Sequence, residues 1–227
     1  MRARASLMAG ALVLGIVVSG CGGDDDASPR AEASTNAAPS VSSRPSASAT
    51  ATATESVGPY LPVPAGVTLS DQGAALALGA AATVAWKPRQ DTVGVLDVSV
   101  DRLEQTTLEK SFTGWKIPEE SAGATPYFVR ATVTNRGDSD LSGRVVPLYA
   151  VDGAQTMIEA TSFASVFKPC RDGVFPSAFG AGATAQVCLV YFLPEGKTLT
   201  GVTFRPTQEF DPITWTGEIV KVSKTAG

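Results

Sequence analysis

One stretch of this 227-residue sequence decides its fold: Tyr127-Phe128-Val129-Arg130-Ala131-Thr132-Val133-Thr134. Its odd-numbered positions are all apolar, and three of its four even-numbered positions are polar. Alternation with a period of two is typical of a β-strand that turns one face to a core and the other to water. The sequence therefore predicts a half-buried antiparallel strand at this point.

The same period recurs in other segments. Residues 96–100 alternate apolar and polar side chains, and Ile213, Trp215 and Ile219 share one face, whereas residues 187–193 are apolar on both faces, as in a central strand. Further strands are predicted at 83–87, 141–151, 156–160 and 201–205. Seven or eight short strands predict an all-β fold, an immunoglobulin-like antiparallel β-sandwich. A capping-box pattern at 106–109 predicts one short helix.

The amino terminus reads as an export signal. Two arginines precede an apolar run at 7–18 that is too short to span a membrane but fits a signal peptide. The run ends in Val18-Ser19-Gly20-Cys21, which resembles the bacterial lipobox. The sequence therefore predicts a signal peptide over 1–20 and lipidation of the Cys21 thiol. The alternatives are an ordinary signal peptide with a chance cysteine and an uncleaved anchor.

Residues 21–59 are predicted to form a disordered tether. From residue 22 to residue 59, 28 of 38 residues are Gly, Ala, Ser, Thr or Pro, so the segment has too few apolar side chains to build a core. The β-sandwich is then expected over 60–227. A lipid-anchored domain at the end of a flexible spacer predicts localisation at the extracytoplasmic face of the cell membrane.

The chain has three cysteines, and lipidation of Cys21 would leave Cys170 and Cys188. An even number in an exported protein predicts a disulfide, because the compartment is oxidising. Two reduced thiols are the alternative. A zinc site is disfavoured, since two thiolates without histidine fall short of four ligands.

Several quoted segments together resemble a known family. They are the hairpin 127–138, Phe167-Lys168-Pro169-Cys170, Phe179-Gly180-Ala181-Gly182, Cys188-Leu189-Val190-Tyr191 and Asp211-Pro212-Ile213-Thr214-Trp215. Over about residues 80–220 the chain resembles telokin-like, immunoglobulin-fold lipoproteins of unknown function from actinobacteria. The resemblance implies that Cys170 pairs with Cys188 in an extracytoplasmic domain. It carries no catalytic residue.

Composition excludes several classes of function. The chain has no histidine, so Ser-His-Asp and Cys-His catalysis and the two-histidine zinc helix are impossible. Its net charge of −4, with no basic run, argues against nucleic acid as a partner. We predict no catalytic residue, no cofactor and no metal site. A calcium site formed by Asp138, Asp140 and Asp152 is the alternative to solvated turn residues.

Two short motifs have ordinary explanations. The tripeptide Arg136-Gly137-Asp138 is predicted to be a hairpin turn in which Gly137 takes a positive φ and Asn135 and Asp138 cap the backbone. The run at 180–185 imitates a dinucleotide fingerprint, but it precedes a predicted strand instead of a helix, which predicts a simple loop.

The segment 104–125 is long for a connection inside a compact domain, and it carries Phe112, Trp115 and Ile117. We expect these side chains either to plug one end of the sandwich or to form a partner-binding loop. The overall prediction is a non-enzymatic binding or scaffolding module at the cell envelope, held at the membrane by its lipid anchor, whose partner the sequence does not identify; an envelope protein and a cell-wall polymer are the candidates. A structural protein bound to cell-wall polymer is the first alternative, and a histidine-free hydrolase is the second.

Overall fold

The structure is a computed structural model that describes residues 59–171 and 173–222. The predicted signal peptide, the predicted lipidation site Cys21 and the predicted tether up to residue 58 lie outside the described residues. Within the described residues, no helix has the length and apolar character to cross a membrane.

The described residues form ten β-strands in two sheets. The first sheet has the order β1 (Ala75–Ala77), β9 (Ile213–Thr216), β8 (Leu199–Phe204), β5 (Tyr149–Asp152), β6 (Met157–Ile158). The second sheet has the order β10 (Ile219–Lys221), β3 (Thr92–Gln105), β4 (Thr125–Asn135), β7 (Thr184–Leu193), and β2 (Ala81–Arg89) also pairs with β3. Between β3 and β4 lie one helical turn, α1 (Leu108–Ser111), and a 3₁₀ turn (Glu119–Ser121). The predicted all-β sandwich is confirmed.

The two sheets enclose a set of buried apolar side chains, which we call the inner core. Its largest fully buried members are Trp215, Tyr127, Tyr191, Phe175, Phe179 and Phe204. Leu96, Val98 and Val100 of β3 are also fully buried there, while Asp97 and Ser99 between them are partly exposed. The alternation in the sequence therefore reports the two faces of the sheet correctly.

Two features of the sheets differ from the prediction. The described strands number ten instead of seven or eight, because β1, β6 and β10 are only two or three residues long and have no sequence period to reveal them. The sandwich is also not purely antiparallel. β1 pairs in parallel with β9, and β10 pairs in parallel with β3, over three residues each.

The predicted strand at 141–151 is wrong over most of its length. Only its end is β5, because Gly143 takes a φ of 66° and Pro147 has no N–H to donate to a sheet. The neighbouring prediction at 156–160 shortens to β6, the two residues that pair with β5.

The predicted continuous strand from Ile213 to Ile219 is also wrong. The chain forms β9 in the first sheet, crosses at Gly217 and Glu218, and forms β10 in the second sheet. A side chain at position 217 has no space, since an added Cβ would lie 2.5 Å from Leu78 Cγ. Glycine therefore allows the chain to pass close over Leu78 between the sheets.

The strand at 187–193 was predicted to be central because both of its faces are apolar. In the structure β7 is the last strand of the second sheet among the described residues. Its inward side chains belong to the inner core, and its outward side chains Cys188, Val190 and Phe192 are covered by loops. Apolar residues on both faces thus reflect a covered outer face and not a central position.

Candidate functional site

A second apolar cluster lies on the outer face of the second sheet, and we call it the outer cluster. Its buried members are Phe112, Phe128, Phe167, Cys170, Cys188 and Val190. The outward side chains of β4 and β7 form its floor. Two loops cover it, one at 106–122 and one at 160–171. The outer cluster thus adds a third layer to part of the sandwich.

The three residues of the predicted binding loop meet in this outer cluster. Phe112 is buried and stacks on Phe167 with ring centroids 4.6 Å apart. Trp115 is half-buried and places its ring edge-on to Phe163 and Phe167, at 5.1 and 5.3 Å. Ile117 is half-buried beside them. The three side chains cover the outer face of a sheet. The predicted plug at one end of the sandwich is therefore wrong. Their role in binding a partner stays a prediction.

Local hydrogen bonds hold the loop that carries Phe112. The side chain of Thr107 accepts a hydrogen bond from the N–H of Lys110 and caps α1. The hydroxyls of Thr106 and Ser111 lie 2.6 Å apart, which joins the two ends of α1. The predicted short helix is confirmed, and its cap is Thr107, one residue later than the capping-box pattern placed it.

A disulfide joins Cys170 to Cys188, with the Cα atoms 5.3 Å apart. Cys188 lies on the outward face of β7, so the bond attaches the loop 160–171 to the sheet. The predicted pairing is confirmed, and the alternative of two reduced thiols is not observed.

An apolar groove runs beside the edge strand β7. It has a volume of about 420 Å³ and is lined by residues of the loop 160–171, by β7 and by the bridged residues Val145 and Val174. Val145 is 53% exposed, Val166 69% and Val174 45%, although valine is normally a core residue. Only part of the β7 edge is covered here, for example where Thr161 donates a hydrogen bond to the Val190 carbonyl at 2.7 Å.

The Arg-Gly-Asp tripeptide forms a tight turn, but the predicted hairpin is wrong, because β4 pairs with β3 and β7 while the next strand, β5, lies in the other sheet. Asn135 is fully buried, accepts a hydrogen bond from the Gly137 N–H at 3.0 Å and donates to the Ser139 and Phe179 carbonyls. The predicted positive φ at Gly137 is wrong. Glycine is favoured there because an added Cβ would lie 3.3 Å from Val95. The capping side chain is Asn135, and Asp138 is exposed.

Two of the three aspartates considered for calcium, Asp140 and Asp152, hold separate turns, and Asp138 is exposed. Asp140 accepts hydrogen bonds from the hydroxyl and N–H of Ser142, which hold the pKa of its carboxyl below the usual value. Asp152 is buried and accepts hydrogen bonds from the N–H groups of Thr156 and Ala154. The described residues contain no group of three His, Cys, Asp or Glu that could hold a metal ion.

The electrostatics of the buried side chains point to structural roles. The Thr156 N–H, followed by the Ala154 N–H and the Lys197 ammonium, keeps the pKa of Asp152 below its usual value. Burial raises the pKa of the Tyr191 phenol, whose hydroxyl donates to the Leu148 carbonyl at 2.8 Å. The run at 180–185 leads into β7, as predicted, and not into the helix that a dinucleotide fingerprint requires.

The sequence predictions missed Phe163, Val166 and Phe167 as parts of one surface. A signal for them existed. Phe128, Val190 and Phe192 are apolar at positions that the alternation assigns to the outer face of a sheet, so something had to cover them. The sequence did not show which loop would do so.

Comparisons with known proteins find only a distant similarity. No family model matches the chain, and no curated protein does. Among solved structures it is similar to one described as "Structure of a putative lipoprotein from Staphylococcus aureus subsp. aureus NCTC 8325". The two are 12% identical, the match covers 62% of this chain and 99% of that chain, and the TM-score is 0.37. A TM-score of this size assigns neither fold nor function, so the resemblance to actinobacterial lipoproteins stays a prediction.

Proposed function

We propose that this protein is a lipid-anchored, extracytoplasmic lipoprotein that binds a partner protein at the cell envelope without catalysing a reaction. Two features support export and anchoring. The sequence ends its apolar leader in a lipobox at 18–21, and the domain contains a disulfide, which is typical of an oxidising compartment. The anchor would keep the sandwich at the outer side of the membrane.

The observation that carries the binding role is the apolar groove beside β7. Val145, Val166 and Val174 are three of the large apolar side chains most exposed to water in the described residues, and all three line this groove. Contiguous apolar surface of this kind is typical of sites that bind another macromolecule. The disulfide and the outer cluster hold the loop that forms one wall.

The carboxylates and the buried phenol support a non-enzymatic role. Asp140 and Asp152 accept hydrogen bonds from their own turns, and the Tyr191 hydroxyl is used by a backbone carbonyl in the inner core. Groups that are committed to structural hydrogen bonds are poorly placed to act as an acid, a base or a nucleophile.

Anchoring can be tested by replacing the lipidated thiol. In the variant Cys21→Ala we expect the protein to leave the membrane fraction, and mass spectrometry should find no acyl group at its amino terminus. The matched control is Ser19→Ala, which keeps a small residue in the lipobox and should remain acylated and membrane-bound. An unmodified Cys21 in the native host would refute the anchor.

Partner binding can be tested with two exposed valines, one in the groove and one outside it. Full-length protein is used to capture partners from solubilised envelopes, and bound proteins are identified by mass spectrometry. We expect Val166→Asp to lose a defined partner and Val220→Asp, an exposed valine outside the groove, to keep it. Equal capture by both variants would contradict the groove as the binding site. Sedimentation with purified, protein-free cell wall would favour the alternative of a wall-polymer protein.

A further inference from the structure

A second cleft lies on the outer face of the second sheet, and its lining is cationic. This cationic cleft has a volume of about 500 Å³ and is lined by Arg102 of β3, Arg130 of β4, and Lys168 and Arg171 beside the disulfide. Cys188 lines both this cleft and the apolar groove. Four cations in one cleft are unexpected in a chain whose net charge is −4.

A β-bulge builds the floor of the cleft. In the pairing of β3 with β4, Val100 lies opposite Ala131 and Arg102 lies opposite Arg130, so Asp101 is the extra residue. Asp101 and Arg102 are neighbours in sequence, yet both line the cleft. Because a bulge interrupts the alternation of faces, it can place two successive side chains on one face of a sheet. Bulges of this kind occur next to functional sites.

The bulge also places two arginines directly opposite each other, an arrangement that repels unless a negative charge intervenes. Glu104 supplies that charge. Its Oε1 lies 2.9 Å from Arg102 Nε and its Oε2 lies 2.8 Å from Arg130 Nε. The Glu104 side chain is only 10% exposed, whereas Arg102 is 54% and Arg130 36% exposed. One buried carboxylate therefore holds two guanidinium groups side by side at an open cleft.

The loop 160–171 supplies the other two cations. Lys168 and Arg171 are exposed and lie on either side of Cys170, and the disulfide attaches this part of the loop to β7. Arg130 Nη2 also donates a hydrogen bond to the Pro169 carbonyl at 3.3 Å. The loop cations are thus fixed relative to the arginines of the sheet.

We propose that the cationic cleft binds a phosphate group of a soluble or chain-borne ligand. Among the described residues at the cleft, four cations face two carboxylates, Asp101 and Glu104. Asp101 accepts hydrogen bonds from Ser99 and Thr132, and Glu104 is held by the arginines. The excess of two positive charges matches a phosphate monoester, which carries about −1.5 to −2 at pH 7. Paired guanidinium forks suit its oxygens better than a single ammonium would.

The shape of the cleft suits a ligand that can enter it better than it suits the flat surface of a membrane. Arg130 is the less exposed arginine and lies between Arg102 and the Pro169 carbonyl. A phosphate on a small molecule or a flexible chain can reach such a recessed group, whereas headgroups in a bilayer first meet the protruding side chains. The proposal goes beyond the partner-binding function and does not rest on it. The cationic cleft depends on its arginines and lysine, whereas the apolar groove depends on its exposed valines.

The test is a titration of the full-length protein in detergent with inorganic phosphate at constant ionic strength. The readout is NMR of the arginine Nε–H signals, which the contacts with Glu104 make suitable probes. We expect saturable shifts for Arg102 and Arg130. The apparent affinity should rise from pH 5 to about pH 8, because inorganic phosphate gains its second negative charge in this range, about one unit above the pKa near 6 of a phosphate monoester.

A matched pair of double variants locates the site. Lys168→Ala/Arg171→Ala should weaken phosphate binding about tenfold, a size reasonable for two exposed charge contacts. Arg89→Ala/Lys116→Ala removes the same two charges from exposed positions outside the cleft and should leave the affinity unchanged. Because all four side chains are exposed, both double variants should keep the thermal unfolding midpoint of the parent protein.

Three results would overturn the proposal. The first is an absence of saturable shifts in the parent protein, and the second is an equal loss of affinity in the two double variants, which would mean that only net charge matters. The third is binding to vesicles of phosphatidylcholine and phosphatidylglycerol without any shift by inorganic phosphate. That result would identify the cleft as a membrane-contacting surface.

Discussion

The inner core and the outer cluster are both apolar and both aromatic, but they are assembled in different ways. The inner core is formed mostly by strands, which contribute every second side chain to it, together with residues such as Phe175 and Phe179 from the segment before β7. The outer cluster is formed by two outward strand faces and by two loops, and a disulfide attaches one of those loops. A sheet face with regular spacing can be covered by segments that have no regular spacing.

Because of this difference, we expect the inner core to determine the stability of the domain and the outer cluster to determine the shape of its surface. The inner core fixes where β3, β4 and β7 lie. The outer cluster then fixes the loop 160–171, whose two sides line the apolar groove and the cationic cleft. Changes in the inner core should therefore unfold the whole domain, whereas changes in the outer cluster should first alter the two surfaces.

The largest effect is expected from Trp215→Ala in the inner core. Trp215 is fully buried, and its indole N–H donates to the Ala80 carbonyl at 2.9 Å. Removing the ring leaves a cavity and an unpaired carbonyl, so we expect the free energy of unfolding to fall by about 4 kcal/mol. Urea denaturation measures this change. A loss below about 1 kcal/mol would mean that the inner core does not dominate the stability.

The next largest effect is expected from removing the disulfide. The pair is 18 residues apart, and closing such a loop contributes about 3 kcal/mol in the chain-entropy model. In Cys170→Ala/Cys188→Ala we expect hydrogen-exchange protection to fall first in the loop 160–171, while β2 and β3 remain protected at low denaturant. Uniform loss across both regions would show that the two clusters unfold as one unit.

Trp115→Ala should have a smaller effect than the same substitution in the inner core. The ring is half-buried and packs edge-on against two phenylalanines, so we expect a loss of about 1 to 2 kcal/mol. Comparison with Trp215→Ala by the same denaturation method gives the contrast directly. A cost equal to that of Trp215 would place Trp115 among the residues that define the fold and exclude it as a partner anchor.

The sequence predicts the inner core well and the outer cluster poorly, for physical reasons. Leu96, Val98 and Val100 follow the pleat of one strand, so a local period reveals them. Phe112 and Phe167 lie far apart in the chain and stack over the sheet face that β4 and β7 form together. No local pattern contains that contact.

The same limit applies to the cationic cleft and to the crossing between the two sheets. The bulge at Asp101 depends on how β3 pairs with β4, and Gly217 is required by its closeness to Leu78. The cysteine pair could be predicted from the sequence, because counting the cysteines of a chain that is predicted to be exported needs no geometry.

The smallest effect on stability is expected from lowering the pH. It acts through Asp152 of β5, which lies in the first sheet and not in the outer cluster. The pKa of Asp152 is lowered in the folded protein, so its stabilising contribution is fully present above the unfolded pKa of about 3.9 and is lost as the pH falls toward the folded value. Asp152→Asn should therefore be less stable than the parent at pH 6, and the gap should narrow by pH 3. Urea denaturation at pH 6 and at pH 3 measures this difference in unfolding free energy between parent and variant. An equal difference at the two pH values would contradict the prediction.

The crossing at Gly217 has a consequence for self-association. Beyond Val100, in the described part of the chain, the outer side of β3 is paired by the three residues of β10, which run parallel to it. A chain shortened before Ile219 would leave these β3 backbone groups open, and bare strand edges recruit strands from other molecules. The three residues of β10 therefore cover strand edge that would otherwise be open to intermolecular sheet growth.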